Sequence, residues 1–163
     1  MSKEKGFYAL AVTRIFLGLI FLWAFFDKLL GLGFATKPAS AWISGGSPTQ
    51  YFLSKVVYGP LAPFYNSISG STIVAWLFMI GLLVIGIGLT LGIATRFSSY
   101  AGVVMLLLMW SSMLPPANNP VIDDHIIYAI ILIAIATLDI GKIWGLQEKW
   151  ESLKLVKKIS ILK

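Results

Sequence analysis

Residues 72–94 read TIVAWLFMIGLLVIGIGLTLGIA, an apolar run with no ionisable side chain. About 20 such residues cross the hydrocarbon core of a bilayer as a helix, so this stretch points to an all-α, integral membrane protein. Breakers bound it, Gly70-Ser71 on one side and Thr95-Arg96 on the other. Three further spans follow the same rule, at about residues 7–32, 97–114 and 121–140. Pro115-Pro116 and Asn118-Asn119-Pro120 separate the last two, and Asn119 followed by Pro120 reads as an N-cap and first helical position. The expected fold is a four-helix transmembrane bundle over residues 1–145 with a basic tail at 146–163.

Composition leads to the same class. Of 163 residues 58% are hydrophobic and only 12% charged, about half the roughly 25% usual in soluble domains. A soluble chain this short exposes too much surface to hide so many apolar residues in one core. The remainder must face lipid, and six Trp with six Tyr suit the bilayer interface. A secreted disulfide scaffold, a nucleic-acid module and a disordered tail are excluded. Without cysteine there is no disulfide, thiol chemistry, iron–sulfur cluster or Cys-held zinc. The single histidine, His125, cannot complete a bis-histidine haem or a multi-His metal site. No haem, iron–sulfur or metal site is therefore expected, and any electron transfer must use a bound cofactor or a partner.

The first span is not a signal peptide: it exceeds the 7–15 residues of an h-region, carries Arg14 and Asp27, and lacks a small-x-small cleavage site. Four spans place both termini on one side, and Lys3, Lys5, Arg96, Lys142, Lys149, Lys154, Lys157, Lys158 and Lys163 share it. Lys28, Lys37 and Lys55 fall on the other. That asymmetry implies a multi-pass cell-membrane protein with cytoplasmic termini. Residues 33–71 then form a long extracytoplasmic loop, with a short helix expected over Gln50–Tyr58 and Trp42, Tyr51, Phe52, Tyr58, Phe64 and Tyr65 anchoring it. The tail, where Trp144, Leu146, Trp150, Leu153 and Ile159 interleave with lysines, suits either a helix on an anionic leaflet or a solvated segment.

An ionisable side chain within a span marks a functional candidate. Arg14 lies roughly 10 Å inside the first helix, on one stripe with Gly18, Phe21, Phe25 and Lys28. Its economical partner is Asp139, with Arg96 competing for the same carboxylate. At the opposite end Asp27, Lys28, Asp123, Asp124 and His125 are expected to converge beneath the aromatic loop. Acids, a cation and a histidine in one pocket suit proton-coupled chemistry on a bound molecule. The plainer account of Asp123 and Asp124 is that acids near a helix start are stabilised by its dipole. Histidine gains nothing there. Gly88 and Gly92 form a GxxxG, read as packing within the bundle.

Thr13-Arg14-Ile15-Phe16-Leu17-Gly18 with Asp27-Lys28-Leu29, Ala41-Trp42-Ile43-Ser44-Gly45-Gly46-Ser47-Pro48-Thr49, Gly59-Pro60-Leu61-Ala62, Gly81 through Arg96, and Asn119-Pro120-Val121-Ile122-Asp123-Asp124-His125-Ile126-Ile127-Tyr128 together resemble the DoxX family. The resemblance covers about residues 8–145 and is nearest to its DoxD-like members, membrane subunits associated with thiosulfate:quinone oxidoreductase. It implies a four-helix protein tied to quinone redox chemistry. On that basis His125, Asp124, Asp123 and Lys28 are candidate catalytic residues, and Trp42, Phe25 and Arg14 candidate quinone-binding ones. The implied partners are the lipid bilayer, a quinone, thiosulfate or another small anion, and a second membrane-associated redox subunit, with no nucleic acid. The alternative is a non-catalytic membrane scaffold or assembly partner for a redox complex. A transporter is disfavoured, because no Gly/Pro-broken helix pair or repeat is visible.

Overall fold

A computed structural model describes residues 3–159. Lys163 and the side chain of Lys3, both counted in the charge asymmetry, lie outside what it describes. The described chain is helical: α1 (Lys3–Leu30), α2 (Ala62–Ser67), α3 (Thr72–Leu91), α4 (Thr95–Ser111), α5 (Asp124–Thr137), α6 (Gln147–Ser152) and α7 (Lys154–Lys158). Among the long helices α1 packs on α3, α3 on α4, α4 on α5 and α5 on α1. Close approaches set the directions: Gly18 meets Thr90 and Gly86, Gly88 meets Ser98, and Gly102 meets Leu132. Neighbours in that series therefore run antiparallel. One end, the Lys28 end, gathers the last turns of α1 and α4 and the first turns of α3 and α5. The Arg14 end gathers the opposite termini.

Leu17, Phe21, Met79, Ile85, Leu132 and Ile135 are buried between the helices. The outward faces are just as apolar, with Phe16, Trp23, Leu77, Ile80, Val104 and Ile130 exposed. Helices that are apolar on all sides belong in a large core or in lipid. Two of them, α1 and α3, are long and apolar enough to cross a membrane. At about 1.5 Å per residue the 14-residue α5 reaches about 21 Å, short of a hydrocarbon core of about 30 Å.

Helix ends follow local chemistry that periodicity does not carry. Gly31 and Gly92, both left-handed, stop α1 and α3. The expected cap at Asn119-Pro120 is corrected. Asn119 Oδ1 instead accepts from the backbone N–H groups of Val121 and Ile122, both at 2.9 Å. Asp123 is the N-cap, accepting from the N–H of His125 at 3.0 Å and of Ile126 at 3.3 Å. Two cap-forming residues stand four apart, and the second one meets the orphan amides of the helix.

The short helix expected over Gln50–Tyr58 is present over residues 50–56, with its last five residues, Phe52–Val56, wound as a π-turn, and it is followed by α2, which hydropathy did not signal. This loop is pinned to the end of α4. The Tyr58 N–H donates to Ser112 O at 3.2 Å, and the buried Tyr65 hydroxyl meets Leu108 O at 3.0 Å and Ser111 Oγ at 2.6 Å.

The C-terminal segment is tied down as well, so its first part is neither a solvated tail nor a free interfacial helix. The N-cap position of α4, Ala94, has no side-chain acceptor. Gln147, 4% exposed, supplies one from outside: its Oε1 accepts from Thr95 N at 3.1 Å and Thr95 Oγ1 at 3.2 Å. Gln147→Ala leaves two buried donors unmet, and a stability loss of about 1–3 kcal/mol is expected. Chemical denaturation in detergent checks this; an unchanged midpoint would show that α4 starts without Gln147.

Candidate functional site

At the Lys28 end, the residues expected to converge divide into separate roles. Asp27 is 1% exposed, and its carboxylate accepts from the backbone N–H groups of Phe34 at 3.2 Å and Ala35 at 3.1 Å. It clamps the loop onto α1 and is not part of an open mouth. Asp27→Ala is expected to speed amide exchange over residues 31–40 by roughly tenfold. Unchanged protection in hydrogen-exchange mass spectrometry would dismiss the clamp.

Lys28, next along the helix, holds its amine 5.9 Å from the ring centroid of Phe78. The ion pairs among the described residues are Arg96–Asp139, Asp123–His125 and Lys142–Asp139, so none joins Lys28 to the acids of α5. Phe25, Trp42 and Phe78 pack against the core at this end. Trp42 meets Trp76 edge-on, with centroids 4.6 Å apart at 71°.

The start of α5 carries the best-defined polar geometry. Asp123 uses both carboxylate oxygens: Oδ1 caps the helix, and Oδ2 lies 2.8 Å from His125 Nδ1. The two side chains are 23% and 21% exposed, sheltered but reachable. With Nδ1–H held by the carboxylate, Nε2 is left as the working nitrogen. Asp124, at the first helical position, is exposed, where the helix dipole favours it.

Arg14 lies at the other end and is fully buried. The expected Arg14–Asp139 pair does not form. The guanidinium donates from Nη2 to Trp144 O at 2.9 Å and from Nη1 to Gly141 O at 3.4 Å. Gly92 and Gly145 give it room, since a Cβ at either would strike Nη1. Asp139 instead sits half-exposed in a left-handed turn, pairing with Arg96 at 3.3 Å and Lys142 at 3.5 Å. The physical reason is that α5 stops at Thr137, so Asp139 turns outward while backbone carbonyls, with their partial negative charge, meet the cation. Arg14 precedes Phe25 by eleven residues on one helix, about 16 Å. It is therefore remote from Trp42 and Phe25 and leaves the candidate quinone set. The GxxxG glycines serve this packing within the chain, Gly88 admitting Ser98 and Gly92 admitting Arg14.

A quinone needs flat apolar walls and donors for its carbonyl oxygens. Phe25, Trp42 and Phe78 offer the walls; Lys28 Nζ is a donor, and His125 Nε2 accepts in the neutral ring and donates once the ring takes up a second proton. In kind, these residues fit. Gln147, which fixes the start of α4, had no motif to mark it; Tyr65 was expected among the aromatics anchoring the loop, and its hydroxyl reaches the end of α4.

The fold and its two long apolar helices define a small, all-helical protein of the membrane type. The chain belongs to the DoxX family, whose model matches residues 9–114. Membership makes it a small membrane protein in contact with the lipid bilayer. The match ends before α5, so Asp123 and His125 lie outside it. Comparison with curated proteins and with solved structures finds no match.

Proposed function

We propose that the protein is a quinone-linked membrane oxidoreductase subunit of the DoxD-like kind, oxidising thiosulfate at an extracytoplasmic site. In this reading all four long helices cross the cell membrane, the short α5 with its flanking residues 121–123 and 138–140 completing the span, both termini are cytoplasmic, and the Lys28 end faces outward. The observation that carries it is the 2.8 Å Asp123–His125 contact, a buttressed imidazole at the sheltered end of a bundle. The carboxylate fixes the ring, and Nε2 takes or gives the proton. Lys28 neutralises the small sulfur oxyanion. Phe25 and Trp42 hold the apolar ring, which supplies a two-electron acceptor when bound. Two thiosulfate anions each give up one electron as a sulfur–sulfur bond joins them. The two protons that match those electrons pass through His125, with Asp124 exchanging them with water.

Membranes containing the chain are expected to reduce a soluble quinone analogue only when thiosulfate is present, and detergent extracts to carry bound quinone. A copurified soluble protein with no quinone would replace this reading with the scaffold. Reduction independent of thiosulfate would leave the quinone and remove the anion.

A further inference from the structure

A shallow, open groove of about 390 Å³ lies on the outer face of α4 between side chains of that one helix, Arg96, Phe97, Tyr100, Ala101 and Val104. Its composition is graded. Arg96, at the Arg14 end, is 54% exposed, and Val104, at the far end, is 58% exposed. Beside Arg96 stand Asp139 and Lys142, so the cluster holds two cations around one carboxylate. On the four-span reading proposed above, on which this inference rests, the rise of about 12 Å from Arg96 to Val104 is close to the depth of one leaflet of a hydrocarbon core about 30 Å thick.

We infer that this groove binds an anionic phospholipid, with its phosphate between Arg96 and Lys142 and one acyl chain along Phe97, Tyr100 and Val104. Charge and depth argue for that occupant together. The excess cation attracts a phosphate, and the apolar stripe below it matches the length of chain that a lipid in that leaflet must bury. A protein partner has no need of a headgroup-to-midplane gradient, and a free anion has no use for the stripe. Asp139 is the internal competitor, sharing both cations with the incoming phosphate.

The full chain in mixed nanodiscs tests this, with retained lipid read by mass spectrometry after delipidation. Phosphatidylglycerol is expected to be retained about fivefold over phosphatidylcholine, as one net cation near the surface implies. Arg96→Gln/Lys142→Gln should abolish that preference, and Asp139→Asn should raise it. All three positions are exposed, and the chromatographic profile and melting temperature show that each variant is folded. Lys154→Gln/Lys157→Gln/Lys158→Gln should keep the preference, which separates this site from general attraction by the tail. Equal retention of the two lipids, a preference lost only in the tail variant, or displacement of the lipid by millimolar glycerol phosphate would overturn the assignment.

Discussion

Arg14→Ala is expected to remove about 3–5 kcal/mol of stability. Two effects add: the truncation leaves a cavity where a fully buried side chain stood, and it strands the carbonyls of Gly141 and Trp144. Asp139→Ala, which breaks a half-exposed pair with Arg96, should change stability by no more than about 1 kcal/mol. The double variant Arg14→Ala/Asp139→Ala should therefore be no more stable than Arg14→Ala alone. Denaturant titration of the four proteins in one detergent decides the matter. A double variant that recovers stability would restore the Arg14–Asp139 pair and dismiss the carbonyl cradle. Gly92→Val offers an independent check, since a side chain there strikes the guanidinium and sits at a left-handed φ of 65°.

His125→Ala is expected to lower thiosulfate-dependent quinone reduction by roughly 100-fold or more, the range in which a positioned acid–base group acts. The informative companion is Asp123→Ser. Serine is as good an N-cap as aspartate, so α5 should keep its stability, whereas Asp123→Ala should lose about 1 kcal/mol. Serine lacks the second oxygen that meets His125 Nδ1, so turnover should still fall by about tenfold. If Asp123→Ser retained full activity, Asp123 would be a cap and nothing more. If His125→Ala retained it, the proton route would lie elsewhere.

What the sequence disclosed and what it withheld differ in kind. The α1 and α3 spans were legible because about twenty apolar residues in succession carry their own meaning, whatever surrounds them. The Asp123–His125 unit was half legible. Its residues were nominated together, and Asp123 was also weighed as a helix-start acid, but that one carboxylate does both jobs follows only from where α5 begins. That start depended on a contest between Asn119 and Asp123, which composition cannot judge. Arg14 was recognisable as an intramembrane cation, yet its partners were not, because backbone carbonyls have no letter in a sequence. Gln147 illustrates the same limit: a glutamine among lysines looks solvated until Thr95 is placed beside it. Lys28 was grouped with the α5 acids by depth alone, and no ion pair joins them among the described residues.

The carbonyl cradle also imposes an order of events on biosynthesis. Arg14 is made 127 residues before Gly141 and 130 before Trp144, so the cation precedes the groups that receive it. At about 5–20 residues per second, α1 must wait on the order of 6–25 s with an unmatched cation before its acceptors emerge. Until then α1 has its packing against α3, where Gly18 meets Thr90 and Gly86, but not the carbonyls that meet its arginine. A chain cut short anywhere before Gly141 never resolves that state.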